Sequence, residues 1–87
     1  MSETIVYGTR NGAFCIAARK LLSERGVDFK DVTMDDDEPL RNHIRAKSKR
    51  DTVPQIWINE QHVGGYSDLR AFDLSGKLTA LVNDVMK

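Results

Sequence analysis

Cys15 is the one cysteine of this chain, and it closes a Gly12-Ala13-Phe14-Cys15 quartet at the start of an apolar helix pattern. A sulfur at a helix N-terminus meets unpaired N–H groups and the positive end of the helix dipole, which favour thiolate and therefore thiol–disulfide exchange. That chemistry commonly uses two cysteines at Cys-x-x-Cys spacing, and here the first of the two positions, Gly12, has no sulfur. A lone cysteine also excludes an intrachain disulfide framework. With His43 and His62 distant from it in sequence, no zinc-ligand spacing is present and no metal is expected. The run Asp35-Asp36-Asp37-Glu38-Pro39 reads as a capped, solvated helix start, with carboxylates meeting the dipole and proline tolerated in the first turn.

Two readings of Cys15 follow. Cys15, Ala18 and Leu22 share an i, i+3, i+7 line at the edge of an apolar helix face, which turns the sulfur toward the core as a half-buried, poorly reactive small hydrophobe. The alternative leaves it accessible as a nucleophile of the first helical turn.

The elements that must position these residues are legible from periodicity. Thr4 to Tyr7 is a short β-branched and aromatic run stopped by Gly8, as in a buried strand. Phe14, Ala17, Ala18, Leu21 and Leu22 mark a helix face that Gly26 terminates. Val27 to Val32 is expected to be a second strand, followed by a helix with Leu40 and Ile44 inward that ends near Lys47. Gln55-Ile56-Trp57-Ile58, a turn at Asn59-Glu60, and Gln61-His62-Val63 form a hairpin running into Gly64-Gly65. Trp57 is expected to pack and His62 to be an exposed hairpin position. Ser67 can cap a helix carrying Leu69 and Phe72; Ser75-Gly76 breaks it, and Leu78, Leu81, Val82 and Val85 define a last amphipathic helix. The order β-α-β-α-β-β-α plus a C-terminal helix implies an α/β domain with one mixed sheet.

Bulk properties exclude several functions. Eighty-seven residues are expected to form a single domain, 1-87. Thirteen Lys and Arg balance thirteen Asp and Glu, so no basic field exists to hold nucleic acid or an anionic membrane. Met1-Ser2-Glu3-Thr4 lacks a basic n-region, and nowhere do about eighteen apolar residues run together. A cytoplasmic, monomeric protein is expected.

Tyr7 before the loop, the helix Cys15-Ile16-Ala17-Ala18-Arg19-Lys20-Leu21-Leu22, the segment Thr52-Val53-Pro54-Gln55-Ile56-Trp57-Ile58, and Gly64-Gly65-Tyr66-Ser67-Asp68-Leu69 stand in one order and spacing. In that register the chain resembles a glutaredoxin of the short bacterial class, over nearly its whole length. The resemblance implies a thioredoxin fold with a four-stranded mixed sheet. It implies glutathione as co-substrate, and glutathionylated or disulfide-containing proteins as partners, reduced in electron transport for cell redox homeostasis. In that family the loop is Cys-Pro-Tyr-Cys or a variant, so Gly12 matches the nucleophilic first cysteine and Cys15 the resolving one. Ala13 replaces the proline, and Phe14 keeps the aromatic ring without the hydroxyl. The resemblance further implies a cis Val53–Pro54 bond that leaves the Val53 backbone free for an extended peptide, with Thr52, Val53 and Pro54 all in the glutathione site. Gly65, Tyr66, Ser67 and Asp68 match the segment receiving the γ-glutamyl end, Asp68 meeting its ammonium. Arg41 matches a residue that pairs with the glycyl carboxylate. The family's lysine two residues after the strand tyrosine is Thr9 here, with Arg10 as a neighbouring substitute. Exchange is therefore expected to be impaired, the alternative being a non-catalytic glutathione- or peptide-binding module.

Overall fold

The computed structural model describes residues 3–84, with side chains described through residue 80. The elements run β1 (Thr4–Gly8), α1 (Ala13–Glu24), β2 (Lys30–Thr33), α2 (Glu38–Ser48), β3 (Gln55–Ile58), β4 (Gln61–Gly64), α3 (Tyr66–Leu74) and α4 (Lys77–Asp84). The sheet order is β2-β1-β3-β4, with β1 parallel to β2 and antiparallel to β3, and β3 antiparallel to β4. Helices cover both faces, in the thioredoxin arrangement.

Period-two alternation divides the core. Val6, Ile56 and Ile58 point to one face, where they meet Ala18 and Leu22 of α1, Leu69 of α3 and Leu78 of α4. Trp57 points to the other, with Met34 and with Ile44 of α2, flanked by Tyr7, Leu40 and Val53. The expected Trp57 packing position is thus occupied, at 5% exposure.

Two boundaries differ from expectation, at β2 and α3, each for a hydrogen-bonding reason. The second strand begins at Lys30 rather than Val27, because the Val27 amide is spent on the Leu22 carbonyl at 2.9 Å, closing α1 behind Gly26 at φ 70°. The second helix starts inside the expected acidic run, at Glu38 with Pro39 in its first turn, where the Asp37 carboxylate accepts the Leu40 N–H at 3.1 Å. The third helix begins at Tyr66 with Gly65 as N-cap, so Ser67 is not the cap. Instead Asp68 reaches back to accept the Gly65 N–H at 2.9 Å. The hairpin turn puts Asn59 and Glu60 at φ 50° and 69°, the left-handed pair that a two-residue turn requires. Val85 lies outside the described residues, as do the side chains of Leu81 and Val82.

A candidate binding cleft beside a buried thiol

β1 delivers the chain at Gly8 into the loop 9–12, and α1 starts with Gly12 as an N-cap that has no side chain to offer. One turn in, Cys15 is 0% exposed. The sulfur is buried completely, which corrects the half-buried expectation and places it on the same inward line as Ala18 and Leu22. Its Sγ accepts the Thr9 N–H at 3.4 Å and lies 3.7 Å from Thr9 Oγ1. A Cβ added at Gly8 would stand 2.7 Å from the sulfur, so the strand end has to be glycine for the thiol to fit there. The loop is pinned from outside by Arg19, which donates to the Thr9 carbonyl and pairs with Asp31 at 3.1 Å.

Next to this buried sulfur an open cavity of about 260 Å³ is lined by Phe14, Arg50, Thr52, Val53, Pro54, Gly65, Tyr66, Ser67 and Asp68. Phe14 and Tyr66 stack across one end, ring centroids 6.1 Å apart and planes 23° apart, with Phe14 64% exposed. The Val53–Pro54 peptide is cis, and neither the amide nor the carbonyl of Val53 is hydrogen-bonded among the described residues. Opposite, the first intrahelical bond of α3 runs from Leu69 N–H to Gly65 C=O, leaving the amides of Tyr66, Ser67 and Asp68 without an intrahelical partner. Those amides and the helix dipole form an anion-attracting end.

Asp68 brings the negative charge. Its Oδ2 accepts from Gly65 N–H and from Arg50 Nη1 at 2.6 Å. The Arg50 hydrogen bond first, then the Gly65 amide, hold its carboxyl below the usual carboxylate range. Oδ1 carries no hydrogen bond among the described residues. The pair rests over Gly64, at φ 121°, where a Cβ would meet Asp68 Oδ2 at 2.5 Å and Arg50 Nη1 at 3.0 Å.

Arg50 escaped sequence reading, because its partner lies 18 residues away on another element and no spacing rule links them. Arg41 stands apart from the main cavity. It is half-buried and lines an adjoining depression with Arg45, Arg50, Thr52 and Val53. Arg10 lines neither; its backbone N–H goes to Asp35 at 2.9 Å. His62 is half-buried rather than exposed, because its ring lies 4.5 Å from that of Trp57 and its Nε2 is 2.8 Å from Gln55 Oε1. Burial first, and Arg50 second, push its pKa below the ordinary imidazole value. Among the described residues no cluster of three or more His, Cys, Asp or Glu could hold a metal ion, and no helix is long and apolar enough to cross a membrane.

Comparison with known proteins places this geometry. Residues 5–63 match the family model described as Glutaredoxin. The chain is 43% identical over 83 residues to a glutaredoxin of Pseudomonas aeruginosa, covering 95% of this chain and 99% of that protein. It is 38% identical over 82 residues to glutaredoxin 3 of Escherichia coli K12, covering 94% and 99%. Among solved structures, the buckwheat glutaredoxin–glutathione complex superposes with a TM-score of 0.89 over 95% of this chain and 78% of that one. At 19% identity that likeness carries the fold.

Proposed function

Because the chain belongs to the glutaredoxin family, we propose that it binds glutathione, or the glutathionylated cysteine of a partner protein, in the cleft, with its own thiol–disulfide exchange strongly impaired. One observation carries this reading: the cleft residues stand together while the single thiol is wholly buried beside them. In the family's reaction a thiolate attacks the sulfur of a protein–glutathione mixed disulfide, releases the protein thiol, and is freed by a second glutathione. Gly12 occupies the position of that attacking sulfur, and Cys15 has no open path to a disulfide in the cleft.

The binding steps remain chemically provided for. An extended cysteinyl unit pairs with the free Val53 amide and carbonyl as an added strand would. The γ-glutamyl carboxylate meets the amides at the start of α3, and its ammonium meets Asp68 Oδ1. Arg41 receives the glycyl carboxylate at the neighbouring depression. Thr52, Pro54, Gly65 and Tyr66 shape the walls, and Phe14 covers one end. Such a protein works in a reducing compartment, the cytoplasm, as a monomer on glutathionylated or disulfide-containing proteins. A second reading, a binding module with no redox step at all, is favoured by the way Gly8, Thr9 and Gly12 enclose the sulfur.

Steady-state reduction of a glutathione mixed disulfide by the parent and by Cys15→Ser, beside glutathione titration of labelled protein, tests the proposal. The expected result is negligible turnover in both, with amide shifts at Val53, Gly65 and Ser67 in the parent. Parent turnover that vanishes in Cys15→Ser makes Cys15 the nucleophile and overturns the impairment. No amide shift at millimolar glutathione overturns the binding.

A further inference from the structure

Gln55 opens β3 with 0% exposure, so its side-chain amide has lost all water and must be satisfied by protein. Its Nε2 lies 3.0 Å from the Thr52 carbonyl and 3.3 Å from Thr52 Oγ1, and its Oε1 lies 2.8 Å from His62 Nε2. The orientation of the amide follows from its partners. A carbonyl can only accept, so the NH₂ group faces Thr52; Oε1 then faces His62 and requires a hydrogen on the imidazole Nε2. The neutral ring protonated there and the imidazolium both meet that requirement, and stacking on Trp57 keeps the ring in place.

The Thr52 carbonyl and the Val53 N–H are two ends of one peptide plane, and in a trans peptide they point in opposite directions. Pulling that carbonyl inward onto Gln55 therefore turns the Val53 N–H outward, toward the cavity that Val53 lines. We propose that Gln55 is a positioning residue for ligand binding: it anchors the 52–53 peptide so that the Val53 amide faces an extended ligand, with His62 fixing which way the Gln55 amide points. This rests on the reading of Val53 as a glutathione contact. It gives the pairing of buried Gln55 with half-buried His62 a task that neither residue's position in the hairpin suggests.

The test is glutathione titration, followed by amide NMR, of the parent, Gln55→Met and His62→Phe. Methionine keeps the unbranched apolar stem without the donor, and phenylalanine keeps a ring on Trp57 without the N–H. Gln55→Met is expected to weaken glutathione roughly tenfold, the worth of about one hydrogen bond. Its Gly65 and Ser67 amides still shift at saturation while the Val53 shift is largely lost, a selectivity that general loosening of the fold would not produce. His62→Phe is expected to weaken binding in the same direction, and it carries the test if Gln55→Met does not fold. Either folded variant binding within about twofold of the parent, with the Val53 shift intact, overturns the role of Gln55. A parent that shows no shift at Val53, Gly65 or Ser67 instead overturns the reading of the cleft on which the role depends.

Discussion

The hydroxyl of Thr9 stands 2.5 Å from the point a Cβ on Gly12 would occupy, and Cys15 Sγ stands 3.2 Å from the same point. A side chain at position 12 therefore enters space already taken by Thr9. Because threonine is β-branched, two of its three χ1 wells put a heavy atom, hydroxyl or methyl, at that spot, and only the third leaves a hydrogen there.

Restoring a thiol at the loop is thus a two-residue matter. Gly12→Cys alone is expected to raise mixed-disulfide reduction only partly, and Gly12→Cys with Thr9→Ala to raise it further, by about tenfold or more over the single change. Equal rates for the single and double variants would show that the loop absorbs the new side chain without help from position 9.

Labelling of Cys15 reports its enclosure. In the folded protein a thiol reagent should modify it at least about a hundredfold more slowly than in denaturant, since reaction waits on local opening of the loop or of α1. Labelling at the rate of a free peptide thiol contradicts full burial.

The Arg50–Asp68 pair has a pH signature. Asp68 is held below its ordinary value in the fold, so its contribution to stability is complete above the unfolded carboxyl value of about 3.9 and disappears as pH falls through the lower folded value. Arg50→Ala should move the Asp68 titration up toward that ordinary value, as followed by carboxyl-carbon NMR. It should cost at most about 1 kcal/mol near neutral pH, because both side chains are more than one-third exposed, and nothing in strong acid. An unmoved Asp68 titration would mean that the Gly65 amide alone holds it down.

Two arginines separate on position. Arg41→Ala should weaken glutathione more than Arg10→Ala, because Arg41 borders the depression that shares Thr52 and Val53 with the main cavity whereas Arg10 borders neither. Calorimetric titration of the two variants decides it, and the reverse ranking would assign the glycyl carboxylate to Arg10.

Core packing sets the tolerance for all of these changes. Leu22 is fully buried between the sheet and α3, and Leu22→Ala should cost about 2–5 kcal/mol in denaturant unfolding. A loss under about 1 kcal/mol would place Leu22 outside the stabilising core.

Local patterning made most of the architecture readable, because Phe14 to Leu22 commits to one period and one face, and Gln55 to Ile58 is a short run that is buried on both faces of the sheet. Element starts were less readable where a backbone amide had two competing uses. The Val27 N–H could enter a strand or close α1, and only the positive φ of Gly26 decides for the second. At α3 Ser67 is the cap that residue type suggests, yet Asp68 makes the contact, because it sits at the third helical position and reaches back to Gly65. In the cleft, the segments flanking Pro54 and Gly65 stood out in the sequence. Arg50, Gln55 and His62 did not, since their partners are joined by tertiary folding and carry no sequence period.

Gly64 contributes no functional group, yet the ion pair at the cleft is stacked on its bare backbone. Even an alanine there would intrude on Asp68 Oδ2 and strain a backbone held at φ 121°. Displacing that oxygen would release Arg50 and loosen the start of α3 together. A hairpin residue without chemistry of its own thereby sets the charge that an incoming amine encounters, so variation at this silent position would surface as altered ligand preference.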